Sequence, residues 1–333
     1  MARNEIVAEV VVTGLRQSVE SAQAIKQNAE QIVDSVTAQD IGALPDRSVS
    51  EALQRIPGIT LQRTSNNRDT ARLAAEGGGV FIRGLSWVRS ELNGRDVFSA
   101  NNGRDLSFED VSSDLLAGVD VYKNPSADLV EGGIGGIVNL RTRRPFDSAD
   151  RLFAVSGDYN YADLFDKGFV SGNLLFCDQW VAGARRLGAL LSASISEVGN
   201  RTDSVQSGRY EARTLSASDA ATLGMSEGDT VFMPNAIGAR SIEWEQERNP
   251  FAAALQWEPS EELLFTLQGL YSEANPHDLE RLFGDDWGFP TAAPGYVFDE
   301  RGVLVAGTIP DAHLTANTRF GEQEKNTADY SLG

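Results

Sequence analysis

The chain has 333 residues, 48 acidic and 29 basic, for a net charge of −19. That balance excludes a nucleic-acid partner, which needs a basic stripe to displace counterions from phosphate. Cys177 is the lone cysteine, so an intramolecular disulfide and a thiolate metal cluster are excluded as well. His277 and His313 are the only histidines, which leaves hydrolytic and metal chemistry poorly equipped; no cofactor or metal is expected.

No stretch approaches the roughly twenty apolar residues of a membrane-spanning helix. The opening MARNEIVAEV lacks the basic-then-apolar pattern of a secretory signal, which is expected to lie upstream. Residues 1–30 are polar apart from Glu9-Val10-Val11-Val12-Thr13. Three successive valines favour a strand, and no adjacent periodic segment offers to pair with them. The patch reads either as an edge strand of the following domain or as a strand offered to another protein.

Residues 31–146 read as one compact α+β domain. Ile32–Val36 predicts a short strand, and Pro45-Asp46-Arg47-Ser48 opens a helix with a capping-box spacing between Ser48 and Glu51. Val49, Leu53 and Ile56 stripe that helix, and Pro57-Gly58 ends it. Strands follow at Ile59–Leu61 and Val80–Leu85. Asn93-Gly94 has the signature of a tight hairpin turn, and Phe108–Leu116 predicts a short helix. The domain closes on a strand, a turn at Asn124-Pro125, a glycine-dense hinge (Gly132, Gly133, Gly135, Gly136) and a second strand through Leu140. Such glycines let the backbone take positive φ and approach a neighbour closely.

From residue 150 the pattern changes to period-two alternation. Ala189, Leu191, Ala193 and Ile195 share one face, with Leu190, Ser192, Ser194 and Ser196 on the other. Leu263, Phe265, Leu267, Gly269 and Tyr271 oppose Leu264, Thr266, Gln268 and Leu270. Phe251–Trp257 repeats this, and Arg151–Tyr161 and Gly168–Phe176 are expected partners. One apolar and one mostly polar face suits a barrel strand between lipid and water, although a soluble sandwich alternates in the same way. The links at Asp178–Leu187 and Glu258–Glu262 are short. Gly199–Asn249 and Asn275–Lys325 are expected as long polar loops on the opposite rim.

Several ordered motifs carry a family resemblance. Ser35–Ile41 with Leu44-Pro45-Asp46, then Glu51–Ile59, Phe81–Leu85, Asn93-Gly94-Arg95 and the closing strand–hinge–strand resemble the plug of TonB-dependent outer-membrane receptors. The resemblance implies an α+β plug domain followed by an antiparallel all-β transmembrane barrel, incomplete in this chain. The domains would be an N-terminal extension (1–30), the plug (31–146) and the first barrel strands and loops (147–333). Plugged barrels need about twenty-two strands, and an unpaired edge is not tolerated in lipid, so the chain is expected to be the front of a longer protein.

The same resemblance makes Glu9, Val10, Val11, Val12 and Thr13 a TonB box, pairing with TonB, which ExbB–ExbD drives. It implies transport rather than catalysis, residence in the outer membrane among its lipids, and a plug and N-terminus facing the periplasm. Ligand is expected at the plug apex, with Trp87, Arg89, Arg95, Asp96, Asn101, Asn102 and Arg104 as candidate contacts. Arg83, Gly84 and the hinge glycines are expected to be structural, with the Arg83 guanidinium on carboxylates of the plug or wall. The Ser35…Leu44-Pro45-Asp46 opening is similar to a branch linked to carbohydrate uptake, so a carbohydrate ranks first and an iron–siderophore second. Two further readings remain: a soluble secreted β-protein binding or cleaving glycans, with Glu243, Glu245 and Glu247 as acids, and a plug-like signalling module.

Overall fold

A computed structural model describes residues 22–37, 49–63, 79–97, 116–124, 126–148, 151–183, 185–286, 290–310 and 312–333. The chain divides into two compact units, one of residues 1–200, 245–276 and 322–333, the other of 201–244 and 277–321.

The first unit opens with a helix over 22–28 (α1), which lies in the stretch read as a polar extension. Its front domain is a five-stranded mixed sheet ordered β1-β6-β7-β4-β5. The strands are β1 (Val33–Thr37), β4 (Val88–Leu92), β5 (Arg95–Asp96), β6 (Leu116–Tyr122) and β7 (Gly136–Thr142). A small sheet of β2 (Ile59–Leu61) and β3 (Val80–Ile82) adjoins it. The helix predicted near Ser48 is the one-turn α2 (Val49–Leu53), which buries Val49, Ala52 and Leu53. Its stripe packs with Ile82, Leu116, Val119, Val138 and Leu140 into one core. The predicted helix Phe108–Leu116 falls mostly outside the described residues; Leu116 itself begins β6 and is fully buried.

Behind this domain, antiparallel strands form a wall ordered β17-β14-β13-β10-β9-β8, with β18 also on β14. They are β8 (Leu152–Ala162), β9 (Lys167–Ala182), β10 (Arg185–Ser207), β13 (Ala236–Ser260), β14 (Leu263–Asp286), β17 (Thr315–Glu322) and β18 (Lys325–Leu332). Among the described residues the sheet is open. Four of the five segments predicted as strands from alternation lie within these strands and the fifth, Arg151–Tyr161, starts one residue before β8, yet β10, β13 and β14 are 23–25 residues long. Both ends of the polar loops expected at Gly199–Asn249 and Asn275–Lys325 are therefore ladder. Alternation continues there with charged side chains in place of aliphatic ones, and ion pairs such as Arg281–Glu243 (2.8 Å) support it.

The second unit also holds a hairpin of β11 (Tyr210–Thr214) and β12 (Thr230–Pro234), with helix α3 (Ala217–Leu223) between them. Ser216 caps α3 by accepting from the Asp219 N–H, and Gly224 ends it in the left-handed region at φ +70°. A second hairpin pairs β15 (Val297–Phe298) with β16 (Leu304–Ala306).

Candidate functional site

The wall has its burial reversed relative to a water-soluble sheet. On β10, Leu191 and Ile195 are exposed while Ser192 and Ser194 are buried. On β14, Leu263, Phe265 and Leu267 are exposed while Leu270 and Ser272 are buried, and on β13 Phe251, Leu255 and Trp257 are exposed while Gln256 is buried. The outward rows continue across the ladders as Phe153↔Phe176, Val155↔Leu174 and Leu267↔Leu332. Leaving such side chains in water forfeits about 1.5–3 kcal/mol each, so this face calls for an apolar solvent. Along β8 the exposed apolar side chains run from Phe153 to Tyr161. These nine residues match the roughly 9–11 with which a tilted strand crosses a bilayer core. Trp257 and Phe265 stack (5.6 Å between ring centres) beside the short turn joining β13 to β14, where an interfacial aromatic girdle belongs.

The buried face of the wall receives the front domain. Asn93 (φ +52°) and Gly94 (φ +78°) make the predicted tight turn between β4 and β5. Asn93 Nδ2 donates to Gln268 Oε1 of β14 (2.8 Å) and to Thr142 Oγ1 (2.9 Å), while its Oδ1 accepts from the Thr142 N–H (3.0 Å). Arg95 donates to the Leu332 carbonyl (3.1 Å), and the Phe146 N–H donates to Gln256 Oε1 (2.9 Å). A small cleft lies along this seam, lined among others by Asn93, Thr142, Ala252, Ala254 and Gln268.

The candidate ligand contacts separate by environment. Trp87 is 66% exposed, and Leu85, Val130 and Ile134 are exposed as well. Gly135 joins Ile134 to this patch through its N–H, which donates to the Trp87 carbonyl (2.9 Å). Arg89 is sequestered: its guanidinium meets Glu91 (2.8 Å), Asp96 (2.6 Å) and the Glu131 carbonyl (3.1 Å). Arg95 is engaged with the wall. Asn101, Asn102, Arg104 and the segment Glu9–Thr13 lie outside the described residues.

Gly136 has φ +140°, and a Cβ there would meet the Tyr122 carbonyl and, at 2.7 Å, Ile82 Cδ1, so the hinge tolerates no side chain at that point. Arg83 differs from expectation. It sits at φ +52° before Gly84 in a turn, and among the described residues its guanidinium reaches the Lys123 carbonyl (3.4 Å). The left-handed turn aims the side chain along the domain's own backbone.

Sequence reasoning missed the group beneath it. Lys123, 8% exposed, pairs with Asp34 of β1 and donates to the Pro57 carbonyl, while Lys26 of α1 reaches Asp34 at 2.6 Å. Around it, the Ile32 N–H donates to Asn124 Oδ1 (2.7 Å) and Gln31 Nε2 to Ser126 and Asp128. Burial pushes the Asp34 carboxyl up, but hydrogen bonds from Lys123 and Lys26 outweigh it and hold the group below its ordinary value. The signal was present in Lys123 itself, a cation directly after the apolar strand β6.

Glu243 and Glu245, the acids of the glycan-cleaving reading, are tied to Arg281 and Lys167. Among the described residues no three His, Cys, Asp or Glu side chains gather as metal ligands.

Residues 25–137 match the family model described as the TonB-dependent Receptor Plug Domain. Similar solved structures include a ferric enterobactin receptor, PfeA, from Pseudomonas aeruginosa (15% identity, TM-score 0.41, covering 92% of this chain and 46% of that one). The siderophore receptor PirA from Acinetobacter baumannii is 12% identical (TM-score 0.40, 93% and 54% covered). The ferric citrate transporter FecA is also 12% identical (TM-score 0.38, 94% and 55%). The chain thus spans about half the length of these receptors. No curated protein matches it. The front of the chain, residues 25–137, is thus a plug domain of the TonB-dependent receptor type, followed by an antiparallel wall.

Proposed function

We propose that this protein takes part in TonB-energised uptake, across the outer membrane, of a ligand too large or too scarce for diffusive pores. The observation that supports this most is the reversed burial of the wall beside a plug domain: a face that needs lipid, and a polar face filled by a water-soluble domain. A soluble glycan enzyme would place those apolar rows in water.

In this reading the wall sits in the outer membrane and the plug and N-terminus face the periplasm. Glu9–Thr13 adds as a strand to TonB, which ExbB–ExbD powers. Ligand binding shifts the population of an N-terminal state open to TonB through its different affinity for the two states. The receptor makes and breaks no covalent bond. Trp87 is the proposed ligand contact, with Asn101, Asn102 and Arg104; Arg89 and Asp96 pair with each other and Arg95 with the wall. A stacking aromatic beside amides and a cation suits an oligosaccharide or an iron chelate.

Uptake of labelled oligosaccharides and iron–siderophores by cells carrying the gene, with and without a protonophore, tests this. Accumulation that survives the protonophore contradicts TonB coupling. Removing Val10–Val12 should abolish uptake and leave surface binding intact; unchanged uptake removes the proposed contact.

A further inference from the structure

The two longest connections of the wall, which would be read as separate rim loops, share a single hydrophobic core. Leu215, Ala220, Val231 and Met233 come from the first, and Ala293, Tyr296 and Leu304 from the second. All seven are 9% exposed or less. The segments also join through backbone: the Phe232 N–H donates to the Gly302 carbonyl (2.8 Å), and Phe232 and Val303 form a parallel bridge. Position 302 is a glycine at φ +79°, where a Cβ would lie 2.8 Å from the Thr230 carbonyl oxygen. The close approach of the two segments therefore depends on the absence of a side chain there.

Neither segment can bury these residues alone. The β11–β12 hairpin with the seven-residue α3 is too small for independent stability, and so is the two- and three-residue pair β15 and β16. Joined, they provide a common interior that either would lose on separating. We propose that the two connections act as one lid, folding and moving as a single body, rather than as two gates that close independently on a ligand. That the lid faces a ligand rests on the uptake reading; that it is one body does not.

Amide hydrogen exchange on the full chain in detergent tests the proposal from both sides. Met233→Asp places a charge in the shared core from the first segment, and Tyr296→Ala opens a cavity from the second. In each variant, amide protection should fall tenfold or more in both hairpins, β11–β12 and β15–β16. Leu175 and Leu190, in β9 and β10, should stay within twofold of the parent. Loss confined to the hairpin that carries the substitution would overturn the proposal, since each loop would then hold its own structure. Loss extending equally to β9 and β10 would overturn it as well, because the lid would be no unit of its own. If Met233→Asp prevents folding, Val231→Ala reads the same two outcomes from the first segment. Failure of uptake in cells leaves the exchange result unaffected, so the two readings fail separately.

Discussion

Replacing Lys123 with methionine removes the ammonium that ties β1 to the rest of the plug. The side chain of Lys123 is 6% exposed and that of Asp34 is 17% exposed, so the pair is shielded from solvent. Deleting one member of a buried pair costs about 3–5 kcal/mol. Here the loss should sit near the lower bound, because Asp34 keeps Lys26 at 2.6 Å and methionine fills the space of the lysine stem. β1 is an edge strand with β6 as its one neighbour, so the loss falls first on Val33–Thr37. About 3 kcal/mol is roughly a hundredfold in an equilibrium. Exchange protection of Val36 and Thr37 should drop by that order in the full chain in detergent, while Val138 and Leu140 of the central β7 change little. The parent carries a matching pH dependence. Because the folded Asp34 value is depressed, its stabilisation is complete above the ordinary carboxylate value near 4 and is lost as pH falls through the lower folded value. Lys123→Met should flatten that acid limb. A change below threefold at β1, or an equal loss at β7, would refute the assignment of this pair as the tie on the edge strand.

Gly136→Ala should destabilise the plug by about 3 kcal/mol or more, since positive φ and a backbone clash act together. Gly84→Ala, at φ +80° with open space around it, should cost about 1 kcal/mol. Protease resistance of the plug against denaturant measures both, and equal losses would remove the close-approach argument. Asn93→Ala, Gln268→Ala and the double variant form a cycle across the plug–wall seam; its coupling energy should be about 0.5–1.5 kcal/mol, and an additive pair would mean the 2.8 Å contact contributes nothing.

Much of the plug could be read from sequence because its signals are local. The valines and isoleucines of β1, β2 and β3, the Asn93-Gly94 turn and the glycine hinge each specify their own geometry. The wall was legible only where aliphatic residues mark its outer face. Beyond Gly199 the same ladder is lined by Arg201, Glu243 and Arg281, and hydrophobic alternation disappears although the strands continue. The lid was illegible because its core joins Met233 to Tyr296 and Val231 to Leu304 across more than sixty positions of chain. The engagement of Arg89 and Arg95 could not be read from sequence either. Their partners, Glu91, Asp96 and the Leu332 carbonyl, are brought to them only by folding.

Nitroxide scanning through β10 shows whether lipid wets the outer side of the wall. Single labels are placed from Gly188 to Ser196 in a Cys177→Ala background, with the full chain in lipid vesicles. Contact with dissolved oxygen should peak at positions 189, 191, 193 and 195, and a water-soluble nickel complex should be excluded from them. Collisions with the nickel complex that peak at those same positions would contradict lipid contact.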